Sequence, residues 1–365
     1  MSNYFKLNSE CYLILGKKRS VIHNILNDEM VWITEENTCK LVDAEANKPI
    51  DKSIEIFNKL VEMGWGFFSE KPVFVDKVRP INGFNQKKLW LDTQNINFAT
   101  LQITNKCNLD CSFCSTAFCP TCLKFIEQND EELSLNDWKK IIDELVLFGT
   151  KTILITGGEP ALYKQIDELL KYCVKKGLNV NLHTNGIIAI RMIPKEVNLM
   201  ITVFKASNLN SALKNYSEHK NVILLSEEED YKSVKAKVNN TWKVTKTFSI
   251  KNKTVITKNN LNNTGISRFF ARKFTDSCLN GKIAISFNGN VYPCFGSKIS
   301  IGNLKEKNIS KVVKILIKDY WKKTIDKTSS MERCTLCEFK YACNSCKFIN
   351  VNESCTYSLE EGIWK

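Results

Sequence analysis

A chain of 365 residues with 43% apolar and 25% charged content has room for two or three domains and a sizeable core, which excludes a disordered, collagen-like or simple repeat protein. The formal net charge of +13 could suit nucleic acid, but Lys and Arg are scattered without a dense basic run. The first 90 residues are nearly neutral, with 13 basic against 12 acidic side chains, so a solvated basic surface and no nucleic-acid partner are expected. The unusual number is fifteen cysteines. Ten of them fall in two groups, from Cys107 to Cys114 and from Cys278 to Cys355, and composition alone leaves disulfides, zinc and iron-sulfur clusters as rival explanations. No segment resembles a signal peptide, and no window approaches 18 uncharged apolar residues, so the chain is read as cytoplasmic with no membrane partner. In a reducing compartment clustered cysteines favour metal binding or catalysis.

The first segment, 1–90, opens with an alternation that puts Cys11, Leu13 and Leu15 on one strand face and continues as a hairpin over 21–34. A helix starts near Thr34, and a second spans Ile54 to Met63 and stops at Gly64. An extended piece, 72–78, leads into a linker over 77–88 that contains Pro80, Asn82 and Gly83. From Phe98 strands and helices alternate. Strands are predicted at 98–104, 152–156, 179–183, 199–204 and 222–225. Helices are predicted at 135–148, with Ser134 as N-cap, and at 165–176, ended by Gly177. Such βα units predict a parallel sheet or partial barrel whose working face lies at the C-terminal strand ends. The remainder, from about Thr275, holds a hairpin signal around Asn288-Gly289-Asn290 and one helix over 310–324 among its cysteines. A region so poor in core residues needs a staple, which cysteine-bound metal would supply.

The first cysteine group reads Cys107-Asn-Leu-Asp-Cys111-Ser-Phe-Cys114, directly after the first strand of the βα region. Three thiolates on one tight loop can hold three irons of a cubane and leave the fourth open. This spacing, with Phe113 before the last cysteine, resembles the signature of the radical S-adenosylmethionine enzymes. Gly157-Gly158-Glu159-Pro160, at the end of the second strand, is similar to that family's GGEP motif. The resemblance implies a [4Fe-4S] cluster on Cys107, Cys111 and Cys114, with S-adenosylmethionine chelating the open iron and its ammonium received around Gly157 to Glu159. It implies reductive cleavage of the sulfonium, fed by an external one-electron reductant such as flavodoxin or ferredoxin, and hydrogen abstraction from substrate by a 5'-deoxyadenosyl radical. His183-Thr184-Asn185-Gly186 resembles the family's turn after the third strand, making Asn185 a candidate cofactor contact. After the fourth strand, Phe204 to Asn208 departs from the usual Ser-x-Asp-Gly, and Ser207 is the candidate ribose contact. Only about 50 residues, 199–250, remain for strands four to six, and no adenine motif on a sixth strand is placed.

The second group, Cys278, Cys294, Cys334-x2-Cys337-x5-Cys343-x2-Cys346 and Cys355, resembles the SPASM extension of the same family. The five residues between its two CxxC pairs are far fewer than in a zinc ribbon. The resemblance assigns Cys334, Cys337, Cys343 and Cys355 to one auxiliary [4Fe-4S] cluster and Cys278, Cys294 and Cys346 to another, three clusters in all. Seven thiolates are one short of two closed cubanes, which leaves an open iron for a substrate cysteine. Cys119 and Cys122 could supply a ligand, form a regulatory disulfide or be plain loop thiols, whereas Cys11, Cys39 and Cys173 read as packing. The layout of residues 1–90 resembles winged-helix-like leader-recognition modules, and its opening is similar to peptide maturases of the grasp-with-spasm type.

The expectation is therefore an α/β chain of three parts: a leader-recognition domain over 1–90, a partial (β/α)6 TIM-type barrel over 91–274 and a SPASM domain over 275–365. The implied activity is modification of a ribosomally made precursor peptide, bound through its leader, by a thioether or carbon-carbon crosslink. The alternatives are oxidation of a protein Ser or Cys, as in sulfatase-maturing relatives, and a non-catalytic iron-sulfur or zinc scaffold that binds peptide.

Overall fold

The computed structural model describes residues 3–79, 95–111, 131–203, 206–226, 231–238, 242–246, 261, 265–276, 278–297, 299–321, 333–343 and 355–364. Phe113, Cys114, Cys119, Cys122, Cys346 and the side chain of Ser207 lie outside the described residues, as does most of the expected linker. The chain divides into two compact units, each assembled from separated stretches. One combines residues 1–93, 255–278 and 322–365; the other combines 94–254 and 279–321.

In the first unit, β1 (Tyr4–Leu7) pairs antiparallel with β5 (Gly66–Ser69), and β2 (Cys11–Leu15), β3 (Ser20–Asn24) and β4 (Glu29–Ile33) form a three-stranded meander. The expected hairpin is β3–β4. Helix α1 (Glu35–Glu45) starts at Thr34, whose side chain accepts from Asn37 N, and α2 (Glu55–Glu62) follows. Phe5, Leu7, Leu41, Phe57 and Leu60 bury completely between these elements. The extended segment after β5 is pinned by Lys77, whose Nζ donates to the carbonyls of Leu7, Asn8 and Cys11.

The second unit is built on a nine-stranded sheet. Its parallel run is β6 (Phe98–Gln102), β7 (Thr152–Thr156), β8 (Asn179–Thr184), β9 (Asn198–Val203), β10 (Val222–Ser226) and β11 (Lys243–Lys246). On the other side of β6, β12 (Lys282–Ile285) adds a further parallel strand, followed by antiparallel β13 (Asn290–Tyr292) and β14 (Gly302–Asn303). The expected hairpin is β12–β13. Parallel strands need both faces covered, and β7 shows it, with Ile153 and Ile155 fully buried and Leu154 nearly so. Helix α3 (Leu135–Leu147) covers the sheet with Trp138, Ile142 and Leu145. It begins in a reciprocal capping box in which Ser134 Oγ accepts from Asp137 N and Asp137 Oδ2 accepts from Ser134 N. Helix α4 (Ile166–Lys175) buries Leu169, Leu170 and Cys173, and α5 (Ala206–Tyr216) and α6 (Tyr231–Lys237) continue the alternation. Helix α7 (Ile266–Phe274) belongs to the first unit, and α8 (Ile309–Ile315) belongs to the second, ending in a π turn, Leu316–Trp321. Among the described residues no helix is long and apolar enough to cross a membrane.

Candidate active site

Polar side chains rarely bury without a reason. In the second unit Gln102, Thr104, Thr156, Glu159, His183, Thr184, Asn185, Thr202 and Asn208 are all less than a tenth exposed. They gather at the C-terminal ends of β6 to β9, the working end of a parallel sheet.

The pairing of β6 with β7 does not stop where the strands do. Beyond Gln102 and Thr156, Ile103 N donates to Thr156 O (2.9 Å), Gly158 N to Thr104 O (2.9 Å) and Glu159 N to Lys106 O (2.7 Å). The Gly-Gly-Glu segment is thus a strap zipped along the chain that leads into Cys107. Its glycines are steric requirements: a β-carbon on Gly157 would stand 2.7 Å from Thr104 O, and one on Gly158 only 2.3 Å from Lys106 O. On the far side Thr104 Oγ1 donates to Glu132 Oε1 at 2.6 Å and Lys106 Nζ pairs with Glu132 Oε2 at 3.2 Å.

Glu159 itself is fully buried and its carboxylate is filled from within. Thr184 Oγ1 (2.6 Å) and Ala161 N (3.0 Å) donate to Oε1, and Asn185 N (2.8 Å) donates to Oε2. Burial pushes the carboxyl pKa up, opposed by these three donors. The side chain therefore ties the end of β7 to the turn after β8. That turn reaches the cysteine loop directly, since Asn185 Nδ2 donates to Asn108 Oδ1 at 2.8 Å. Gly186 takes φ +76°, and a β-carbon there would lie 2.9 Å from both Ala212 Cβ and Ile201 Cγ2. Asn208, in the first turn of α5, donates to Asn185 O (2.8 Å) and Thr202 O (2.9 Å), and His183 Nε2 meets Thr202 Oγ1 at 2.6 Å.

The loop so clamped carries the half-buried Cys107 and Cys111, and Leu109 N donates to Cys107 Sγ at 3.4 Å. A backbone N–H aimed at a sulfur is the polarity an iron-bound thiolate needs. This donor set fits the iron-sulfur cluster the spacing implies. Of the expected site residues, the structure brings together Cys107, Cys111, Gly157, Gly158, Glu159 and Asn185, and Pro160 opens the 3-10 turn beside them. The supporting set of Thr104, Asn108, Glu132, Thr202 and Asn208 was not anticipated. Polar residues at or just beyond the strand ends, Thr104 and Thr202 among them, are the available signal, and Asn208 lies in the segment that departs from the family's motif.

The remaining cysteines divide between the units. Cys294 follows β13 in the second, while Cys278, Cys334, Cys337, Cys343 and Cys355 belong to the first. Cys337 and Cys355 pack with Val21, Phe339, Ala342 and Tyr357. Phe339 N donates to Cys337 Sγ (3.3 Å), Cys337 N to Cys334 O (3.4 Å) and Arg333 Nη1 to Cys355 O (3.3 Å). Burial pushes the thiols of Cys337 and Cys355 up, with the Glu338 charge and then Cys343 adding to the effect at Cys337. Among the described residues no three Cys, His, Asp or Glu side chains already converge as a metal cage; the thiols share one scaffold, and the N–H to Cys337 fits an iron-sulfur ligand.

Two family models match the chain: the radical SAM superfamily over residues 101–205 and the SPASM iron-sulfur cluster-binding domain over residues 277–347. The PqqA peptide cyclase of Rhodopseudomonas palustris is 32% identical over 91 residues, 25% of this chain and 22% of that protein. The sporulation killing factor maturation protein SkfB of Bacillus subtilis is 38% identical over 88 residues, 24% of this chain and 20% of that protein. The chain thus spans about a fifth of the length of these two relatives. Among solved structures, Streptococcus suis SuiB bound to its precursor peptide SuiA aligns over 96% of this chain and 97% of that one, with 14% identity and a TM-score of 0.46.

Proposed function

We propose, for a chain that carries a radical SAM domain over residues 101–205 and a SPASM iron-sulfur domain over residues 277–347, that it modifies a ribosomally made precursor peptide, forming a thioether or carbon-carbon crosslink. The observation that carries the reading is the Gly157 to Glu159 strap hydrogen-bonded to Thr104 and Lys106, which sets the cysteine loop at the working end of a parallel sheet. Relatives named as a peptide cyclase and a sporulation killing factor maturation protein support the substrate class.

In this reading Cys107, Cys111 and Cys114 hold a [4Fe-4S] cluster, Cys334, Cys337, Cys343 and Cys355 a second, and Cys278, Cys294 and Cys346 a third. With S-adenosylmethionine bound and one electron delivered by a flavodoxin or ferredoxin, the group would supply radical chemistry: cleavage of its S–C5' bond would release methionine and give the oxidant for hydrogen abstraction from the peptide. The chain's own part is orientation. The strap's backbone would receive the cofactor's ammonium, Glu159 fixes the strap to the turn at Asn185, and Ser207 would contact the ribose. The N-terminal module would take the leader as an added strand on an edge of its sheets, at β4 or β5.

The test is anaerobic reconstitution followed by incubation with S-adenosylmethionine, dithionite and the candidate peptide. Formation of 5'-deoxyadenosine together with loss of two hydrogens from the peptide, with fragmentation blocked across the linkage, is the expected result. Replacing Cys107, Cys111 and Cys114 by Ala should abolish both. A peptide oxidised at a single Ser or Cys without a blocked linkage would overturn crosslinking in favour of sulfatase-maturation-like chemistry.

A further inference from the structure

Residues 333–343 form only a short helical turn and no β-strand, so something outside the segment must hold its cysteines in place. The first unit supplies it. At the β2–β3 turn Lys17 N donates to Leu336 O (2.7 Å), and from the other direction Lys340 Nζ donates to Leu15 O (3.0 Å). Lys17 Nζ also reaches Leu359 O (2.9 Å) and Glu360 O (3.3 Å). Gly16 lies so close that a β-carbon would stand 2.7 Å from Glu338 Oε2 and 3.0 Å from Glu338 N. Fully buried Val21 joins the cluster that holds Cys337 and Cys355, and the Trp32 ring packs 5.0 Å from that of Phe339. Three of these contacts fall on residues 336, 338 and 339, the neighbours of Cys337, and Phe339 provides the N–H that bonds Cys337 Sγ.

We infer that the N-terminal module is the scaffold of the auxiliary cluster, with Gly16, Val21 and Trp32 as positioning residues for the Cys334, Cys337, Cys343 and Cys355 ligand set. The inference rests on the proposed assignment of those four cysteines. It gives the module a second task beside any recognition of a leader: the surface formed by β2, β3 and β4 sets the ligand geometry and the N–H that tunes one sulfur.

Three full-length variants, reconstituted anaerobically, decide it. Cys337→Ala tests the assignment and should lose about four irons, one cubane. Gly16→Val should lose the same iron while still producing 5'-deoxyadenosine from S-adenosylmethionine and dithionite. Trp32→Ala removes a side chain that is 42% exposed and leaves the module's own core intact; it should keep the iron but change the electron paramagnetic resonance spectrum and midpoint potential of that cluster, and Trp32→Phe should restore them. If Cys337→Ala keeps its iron, the ligand assignment fails. If Cys337→Ala loses iron while Gly16→Val and Trp32→Ala keep native iron and native spectra, the scaffold role is overturned. Should Gly16→Val fail to fold, Trp32→Ala and its rescue decide alone.

Discussion

Glu159 separates two ways in which a motif residue can matter. A carboxylate whose work is to meet a cofactor would be dispensable to the empty protein. Here it accepts from Thr184, Asn185 and Ala161 at zero exposure, and its removal leaves two buried donors and a part-buried one without an acceptor. Each such orphan costs about 1–3 kcal/mol. Glu159→Ala is therefore expected to lower the thermal midpoint of the metal-free protein by several degrees, before any cofactor is added. An unchanged midpoint would return Glu159 to a pure cofactor contact. His23 offers a second residue-scale expectation. It is fully buried on β3 beside the Phe269 ring, and burial, aided by the Arg272 charge, lowers its pKa from 6.5 to about 4. The unfolded chain then binds a proton that the folded chain refuses, so this contribution is complete above pH 6.5 and is lost as pH falls toward 4. Its size is about 3 kcal/mol. Denaturant titrations at successive pH values should show a steeper loss of stability across that window for the native chain than for His23→Gln; parallel curves would contradict it.

The helices were legible where local chemistry decides them. Ser134 with Asp137, and the apolar row Trp138, Ile142 and Leu145, announce α3 from sequence because cap and amphipathic period act within a dozen residues. The partner of β12 was not legible. Its pairing beside β6 joins Lys282 to Phe98 across half the chain, and no periodicity encodes a non-local neighbour. The glycines of the strap were visible as a motif, but their physical reason was not, since only the fold brings Lys106 O within 2.3 Å of a β-carbon on Gly158. That reason yields a prediction for the β6–β7 extension. Gly158→Ala must push the strap off Lys106, breaking the Gly158–Thr104 and Glu159–Lys106 hydrogen bonds that set the cysteine loop. The expected variant keeps the far-ultraviolet spectrum of the native chain but loses the iron of the radical cluster and 5'-deoxyadenosine formation. Retention of native iron would show that the loop is set elsewhere.

At the scale of the whole molecule, neither unit is a contiguous stretch of sequence. The segments 1–93 and 322–365 share one unit, with Val21 and Met30 packed against Cys337, Phe339, Ala342 and Tyr357, while β12, β13 and β14 complete the sheet of the other. Stability conferred by iron should follow these packing units and not the order of the sequence. A cluster bound by Cys334, Cys337, Cys343 and Cys355 stabilises only what its ligands are packed on, and binding free energy enters folding where the site forms. Hydrogen exchange compared between the iron-loaded and chelator-stripped chain should therefore show a protected patch at 333–343 and 355–364 that extends 300 residues back into β2, β3 and β4. Strands β7 and β8 have their own cores of Ile153, Ile155, Val180 and Leu182. Away from the ends that carry the Glu159 and Asn185 contacts, they should exchange alike in both forms. A chain carrying Cys337→Ala with the radical cysteines intact isolates the effect, because it should reproduce the stripped pattern in β2 to β4 while the cysteine loop at 107–111 stays protected. Loss of protection that stops at residue 333, leaving the N-terminal strands untouched, would mean that the two ends of the chain touch without sharing stability.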